Sequence, residues 1–102
     1  MALAYSNNGV NWEKPSLRIA RDPIYKEHPN IVVHAKMKDK NGRYLSGWGG
    51  PAGMCILDND LTPHPCARKR FTGLYVDFPI DVIGGICIAD SDDGIEWTIW
   101  PE

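Results

Sequence analysis

Six carboxylates are candidates for acid–base chemistry in this chain: Asp22, Glu27, Asp58, Asp60, Asp77 and Asp81. Hydrolysis of a glycosidic bond needs two carboxyl groups about 5–10 Å apart, with pKa values pushed apart by their surroundings. Asp58 and Asp60, in "LDND", would share one strand face, where accepting turn amides or facing water is the plainer role. Asp77 and Asp81 flank "FPI" in what reads as an exposed loop with structural acids. Asp22, in "ARDPIY", is the strongest candidate, although a salt bridge to a neighbouring arginine would explain it equally well. Aromatic rings offer a second theme. "RYLSGWGG" spaces Tyr44 and Trp48 four residues apart, so a strand would put both on one face. Flat rings there would suit stacking on a ligand, and a core position for Trp48 competes with that use.

Other chemistries find little support. His28, His34 and His64 have no metal-ligand spacing, so neither a metal nor a cofactor is expected. His64-Pro65-Cys66 suggests a Cys–His pair, but neighbours around a proline diverge. Cys55, Cys66 and Cys87 form no C-x-x-C pair, and apolar neighbours give Cys55 and Cys87 the look of buried thiols. P-loop, dinucleotide and serine-hydrolase motifs do not occur.

The totals set the scale. A chain of 102 residues with 43% hydrophobic content suits one small domain over 1–102. The net charge of −2 argues against nucleic acid as a partner, and Arg68-Lys69-Arg70 reads as a solvated turn. No apolar run approaches the roughly 20 residues that span a bilayer, so no membrane partner is expected. The start "MALAYSNNG" shows no signal peptide, which with reduced cysteines makes the cytoplasm the default compartment.

The elements that must position these residues are strands. Eight prolines and ten glycines leave little room for helices. Between them "NIVVHAKM", "RYLSGW", "GMCILD", "FTGLYVDF", "GGICIAD" and "IEWTIW" predict an all-β, antiparallel fold. "ICIA" is apolar on both faces, as a central strand would be. One helical turn is allowed at Pro65–Lys69.

One seven-residue pattern occurs at both ends: "SNNGVNW" at Ser6–Trp12 and "SDDGIEW" at Ser91–Trp97. Each reads as a hairpin turn. Asn8-Gly9 or Asp93-Gly94 supplies the bend, with the positive φ that glycine tolerates. Ser6 and Asn7, or Ser91 with Asp92 and Asp93, would accept hydrogen bonds from turn amides. Trp12 and Trp97 would fold beneath their turns as apolar plugs.

These turns resemble the S-x-D-G-x-x-W turns of five-bladed β-propeller glycosidases, glycoside hydrolase families 43 and 32, and are similar to the sialidase Asp-box. "ARDPIY" resembles the Arg-Asp-Pro motif that opens a blade there. "KDKNGRYLSGWGG" resembles the hairpin joining a first strand to a second, and "MCILDNDLTP" would end a third strand. The resemblance implies hairpins arranged as about two propeller-like blades. It places the turns between third and fourth strands and Asp22 in a catalytic centre beside Arg21, with Tyr44 and Trp48 as the substrate-binding rings that their strand spacing suggests. The family's other two carboxylates have no counterpart, and Asn7-Asn8 replaces acid with amide.

Two functions are therefore expected: a glycosidase-like protein that binds or processes a glycan, or a non-enzymatic β module keeping the turns as fasteners. Open strand edges predict a homo-oligomer, with a small closed sandwich or barrel as the other way to satisfy them.

Overall fold

The computed structural model describes residues 1–17, 28–47, 50–78 and 84–100. The chain forms two compact units, Met1–Val32 and Val33–Glu102.

The larger unit carries an antiparallel sheet of four strands in chain order: β1 (Ala52–Asp58), β2 (Phe71–Asp77), β3 (Gly85–Ser91) and β4 (Thr98–Ile99). All-β is thus the class of the fold, with no helix among the described residues. β2 and β3 pair without interruption from Phe71 opposite Ser91 to Asp77 opposite Gly85. The β1–β2 register shifts between Ala52 and Cys55, where Gly53 takes a φ of 59° in a bulge. "AGMCILD" therefore opens the sheet, and "FTGLYVD" is its second strand.

This register sorts the side chains onto two faces, because paired residues of an antiparallel ladder point the same way. Gly73, Tyr75, Asp77, Ala89 and Ile99 share the covered face, with Tyr75 3%, Ala89 0% and Ile99 6% exposed. Trp97, also buried, lies against Gly73. A β-carbon on Gly73 would come 3.0 Å from its Cζ3 and would overlap the Met54 methyl, so glycine makes room for the indole. The other face carries Leu57, Val76 and Ile86, all exposed. "ICIA" is central by pairing, yet Ile86 faces outward and is exposed, while Asp90 and Thr98 further along that same face are buried, so this face is open only in part.

A hairpin over residues 35–47 packs on the covered face. Asp39 N–H donates to the Arg43 carbonyl at 2.8 Å, Leu45 N–H to Met37 at 2.9 Å and Lys36 N–H to Gly47 at 2.8 Å. The Tyr75 hydroxyl donates to the Leu45 carbonyl at 2.5 Å, which ties the hairpin to β2. Of the strands expected over 30–37 and 43–48, the described residues form only single bridges, Ala2 with Ile31 and Lys38 with Tyr44. The cause is local. A turn closed by Met37 N–H on the His34 carbonyl, with Lys36 at a φ of 61°, bends the chain out of the extended conformation. Pro65–Lys69 is likewise no helical turn, only a tight turn closed by Ala67 N–H on His64.

In the smaller unit, Tyr5 and Glu13 exchange both backbone hydrogen bonds at 2.8 Å. Leu3 N–H donates to Asn30 at 2.8 Å and Val32 N–H to Met1 at 2.9 Å. Tyr5–Glu13 occupies the place in its hairpin that Asp90–Thr98 occupies in the β3–β4 hairpin. The second ladder runs one step further, through Trp100 N–H on the Ile88 carbonyl. Pro15 holds that position in the first and has no N–H to give.

Candidate functional site

The two Ser-to-Trp turns share one wiring. In the second, Gly94 N–H donates to Ser91 Oγ at 2.9 Å, and that hydroxyl donates to Asp93 Oδ1 at 3.1 Å. Asp93 Oδ1 also accepts the amides of Ile95 at 2.8 Å and Glu96 at 2.9 Å, while Trp97 Nε1 donates to the Gly94 carbonyl at 2.9 Å. In the first, Gly9 N–H reaches Ser6 Oγ at 2.8 Å, and that hydroxyl reaches Asn8 Oδ1 at 3.2 Å. Asn8 Oδ1 accepts Val10 and Asn11 N–H, each at 2.9 Å, and Trp12 Nε1 donates to Gly9 at 3.3 Å. Gly9 and Gly94 have φ values of 74° and 77°. A side-chain oxygen one residue before the glycine does the work, so Asn8, not Asn7, is the acceptor in the first turn.

The two turns differ in their tryptophans. Trp97 is 3% exposed and plugs its turn as expected. Trp12 is 62% exposed and plugs nothing. The local bonds aim the ring, and burial then depends on whether a strand lies beneath it.

They also differ in charge. Burial pushes the Asp93 carboxyl up, but the Ile95 and Glu96 amides and the Ser91 hydroxyl outweigh it and hold the group below its ordinary 3.8. A carboxyl depressed in the folded state stabilises the fold above its unfolded pKa, and that contribution is lost as pH falls through the folded value. Asn8 has nothing to titrate. In thermal unfolding from pH 6 down to pH 3, the advantage of wild type over Asp93→Asn is therefore expected to shrink below about pH 4. An unchanged gap would mean that the carboxylate charge contributes nothing to the turn.

Arg21, Asp22 and Trp48, the centre of the predicted site, lie outside the described residues, as do Glu27 and Asp81. Tyr44 is half-buried, with Lys38 Nζ 4.6 Å from its ring centroid. Asp58 accepts Asp60 N–H at 3.0 Å and pairs with Arg70 at 3.1 Å, and that side-chain bond holds its carboxyl below the usual range. Asp60 joins the same arginine at 3.4 Å.

Asp77 is a correction. Only 4% exposed, it ends β2 and accepts the Ser46 hydroxyl at 2.6 Å, Phe78 N–H at 2.6 Å and Gly47 N–H at 3.2 Å. The hairpin approaches so closely that a β-carbon on Gly47 would overlap the Phe78 carbonyl. Two further acids are buried without having been marked as such. Asp39 Oδ1 accepts Asn41 and Arg43 N–H at 2.9 Å, and its Oδ2 accepts Ile99 N–H at 3.3 Å. Asp90 lies 3.9 Å from Lys69 and 4.0 Å from Arg68, so the basic run is partly an ion-pair cover for this carboxylate. The acid of "KDKNGRY" could have marked Asp39, because a residue beside a hairpin turn caps its amides. No local signal marks Asp77.

The thiols depart from expectation too. Cys55 is exposed and Cys87 only half-buried, because the β1 edge and the sheet end leave them uncovered. Burial and then the Asp77 charge push the Cys87 thiol up, away from thiolate chemistry. His64 Nδ1 accepts the Cys66 backbone N–H at 3.1 Å, a turn contact in place of a Cys–His pair. Among the described residues no group of three or more His, Cys, Asp or Glu could hold a metal ion.

Comparison with known proteins finds no matching family model, no matching curated protein and no matching solved structure.

Proposed function

We propose that this chain is a propeller-type β module related to carbohydrate-processing proteins, and that it binds a glycan and does not cleave one. One observation carries the reading. The second Ser-to-Trp turn, Ser91–Trp97, joins the third and fourth strands of a four-stranded antiparallel meander, the unit from which propeller blades are built, and the first repeats its wiring around a single bridge. Binding is favoured over hydrolysis by the use of the described acids. Among the described residues, Asp39, Asp58, Asp77 and Asp93 all accept structural hydrogen bonds, which commits these four acids to the fold and not to acid–base work. A second reading, glycosidase chemistry centred on Asp22 with Arg21 beside it, rests on the Arg-Asp-Pro motif. The open apolar sheet face supports association of several copies as part of the same proposal.

A glycan array with wild type and Asp22→Ala, run beside release of nitrophenol from aryl glycosides, tests both readings. The expected result is glycan binding without hydrolysis. Hydrolysis by wild type that is lost in Asp22→Ala would replace this reading with the enzymatic one. A protein that retains no glycan at all would refute both.

A further inference from the structure

Trp12 is an aromatic ring held still and left uncovered. Its indole N–H is committed to the Gly9 carbonyl at 3.3 Å, and Ser6 and Asn8 fix the turn beneath it. The ring is 62% exposed, whereas its twin in the same wiring is 3% exposed. An aromatic side chain in water ordinarily gains by being buried, and this one has a built support while most of its ring stays exposed.

We infer that Trp12 is a stacking platform for one pyranose ring of a neutral oligosaccharide, an inference that rests on the carbohydrate reading above. Three observations select this occupant. With the N–H already engaged, the flat face of the indole is what a ligand meets, and the C–H face of a pyranose is its apolar counterpart. The area is small: about 60% of a tryptophan's burial capacity is on the order of 100–150 Å², far below the roughly 800 Å² per partner of a stable protein interface. The surrounding turn is polar and mostly uncharged, with exposed Asn7 and Asn11 near Trp12 in the turn, side-chain amides of the kind that pair with sugar hydroxyls. Val10, also exposed, is the one other apolar residue of the turn.

The test follows the four indole N–H signals of the whole chain in two-dimensional NMR, with xylohexaose and cellohexaose as probes and Trp12→Phe to assign the Trp12 signal. The expected result is a saturable shift of that signal, and a loss of affinity of about tenfold or more in Trp12→Ala. Folding of Trp12→Ala is read from the unchanged positions of the other three indoles. Saccharide binding that persists in Trp12→Ala overturns the platform and leaves the carbohydrate reading standing. Absence of any shift or binding with either probe, together with an empty glycan array, overturns both. A Trp12 signal that moves on diluting the protein alone would assign the ring to contact between copies and overturn the sugar.

Discussion

Trp97→Ala is expected to lower the unfolding free energy by about 3–5 kcal/mol, the range for truncating a fully buried large aromatic. The same change at Trp12 is expected to cost under about 1 kcal/mol, as surface substitutions do. Both indoles sit in the same turn wiring and donate to the carbonyl of the preceding glycine. The comparison therefore isolates burial. Trp97 is buried and fills the space left by Gly73, and its removal opens a cavity that backbone strands cannot close. Urea titrations of the two variants give the answer directly. Equal losses would mean that the indole hydrogen bond, and not the packed ring, holds the corner together.

Asp77→Ala is expected to cost about 3–5 kcal/mol, because it strips one acceptor from several donors at once. The Ser46 hydroxyl and Gly47 N–H lie in buried residues, so water replaces the lost bonds poorly, and each orphaned donor costs about 1–3 kcal/mol. Asp77→Asn keeps one oxygen for Gly47 or Ser46, so roughly half that loss is expected. Chemical unfolding measures the totals, and amide exchange at Gly47 shows whether the hairpin end has loosened. A neutral Asp77→Ala would show that the carboxylate is not what fastens residues 35–47 to β2.

How much of this was legible beforehand depended on the range of each interaction. "GMCILD", "FTGLYVDF" and "GGICIAD" anticipate β1, β2 and β3 closely, because glycine and proline punctuation marks strand ends within the local sequence. The turns were legible for the same reason, with every acceptor within three residues of its donor. "NIVVHAKM" misled because its β-branched residues favour a strand, while the turn at His34–Met37 overrides them. Burial was the least legible. Ser46 and Asp77 are 31 residues apart, and nothing within "VDFPI" reveals that a hairpin end will cover the acid. Trp12 and Trp97 make the point most sharply, since the same turn wiring leaves one ring in water and one in the core. Of the predicted site itself, Tyr44 alone falls among the described residues, so that part of the reading rests on its motifs.

The self-contained wiring of the Ser-to-Trp turn also bears on the order in which the structure assembles. Because the turn keeps its shape whether or not its tryptophan is covered, it does not wait for packing. The corner between β3 and β4 closes a loop of a few residues, an event of about 1–10 μs for a hairpin. The bonds from Tyr75 to Leu45 and from Ser46 to Asp77 join residues about 30 apart, and so carry a larger loop-closure entropy. The β3–β4 corner is therefore expected to form before the hairpin docks on β2, which higher φ-values at Ser91 and Asp93 than at Ser46 would show.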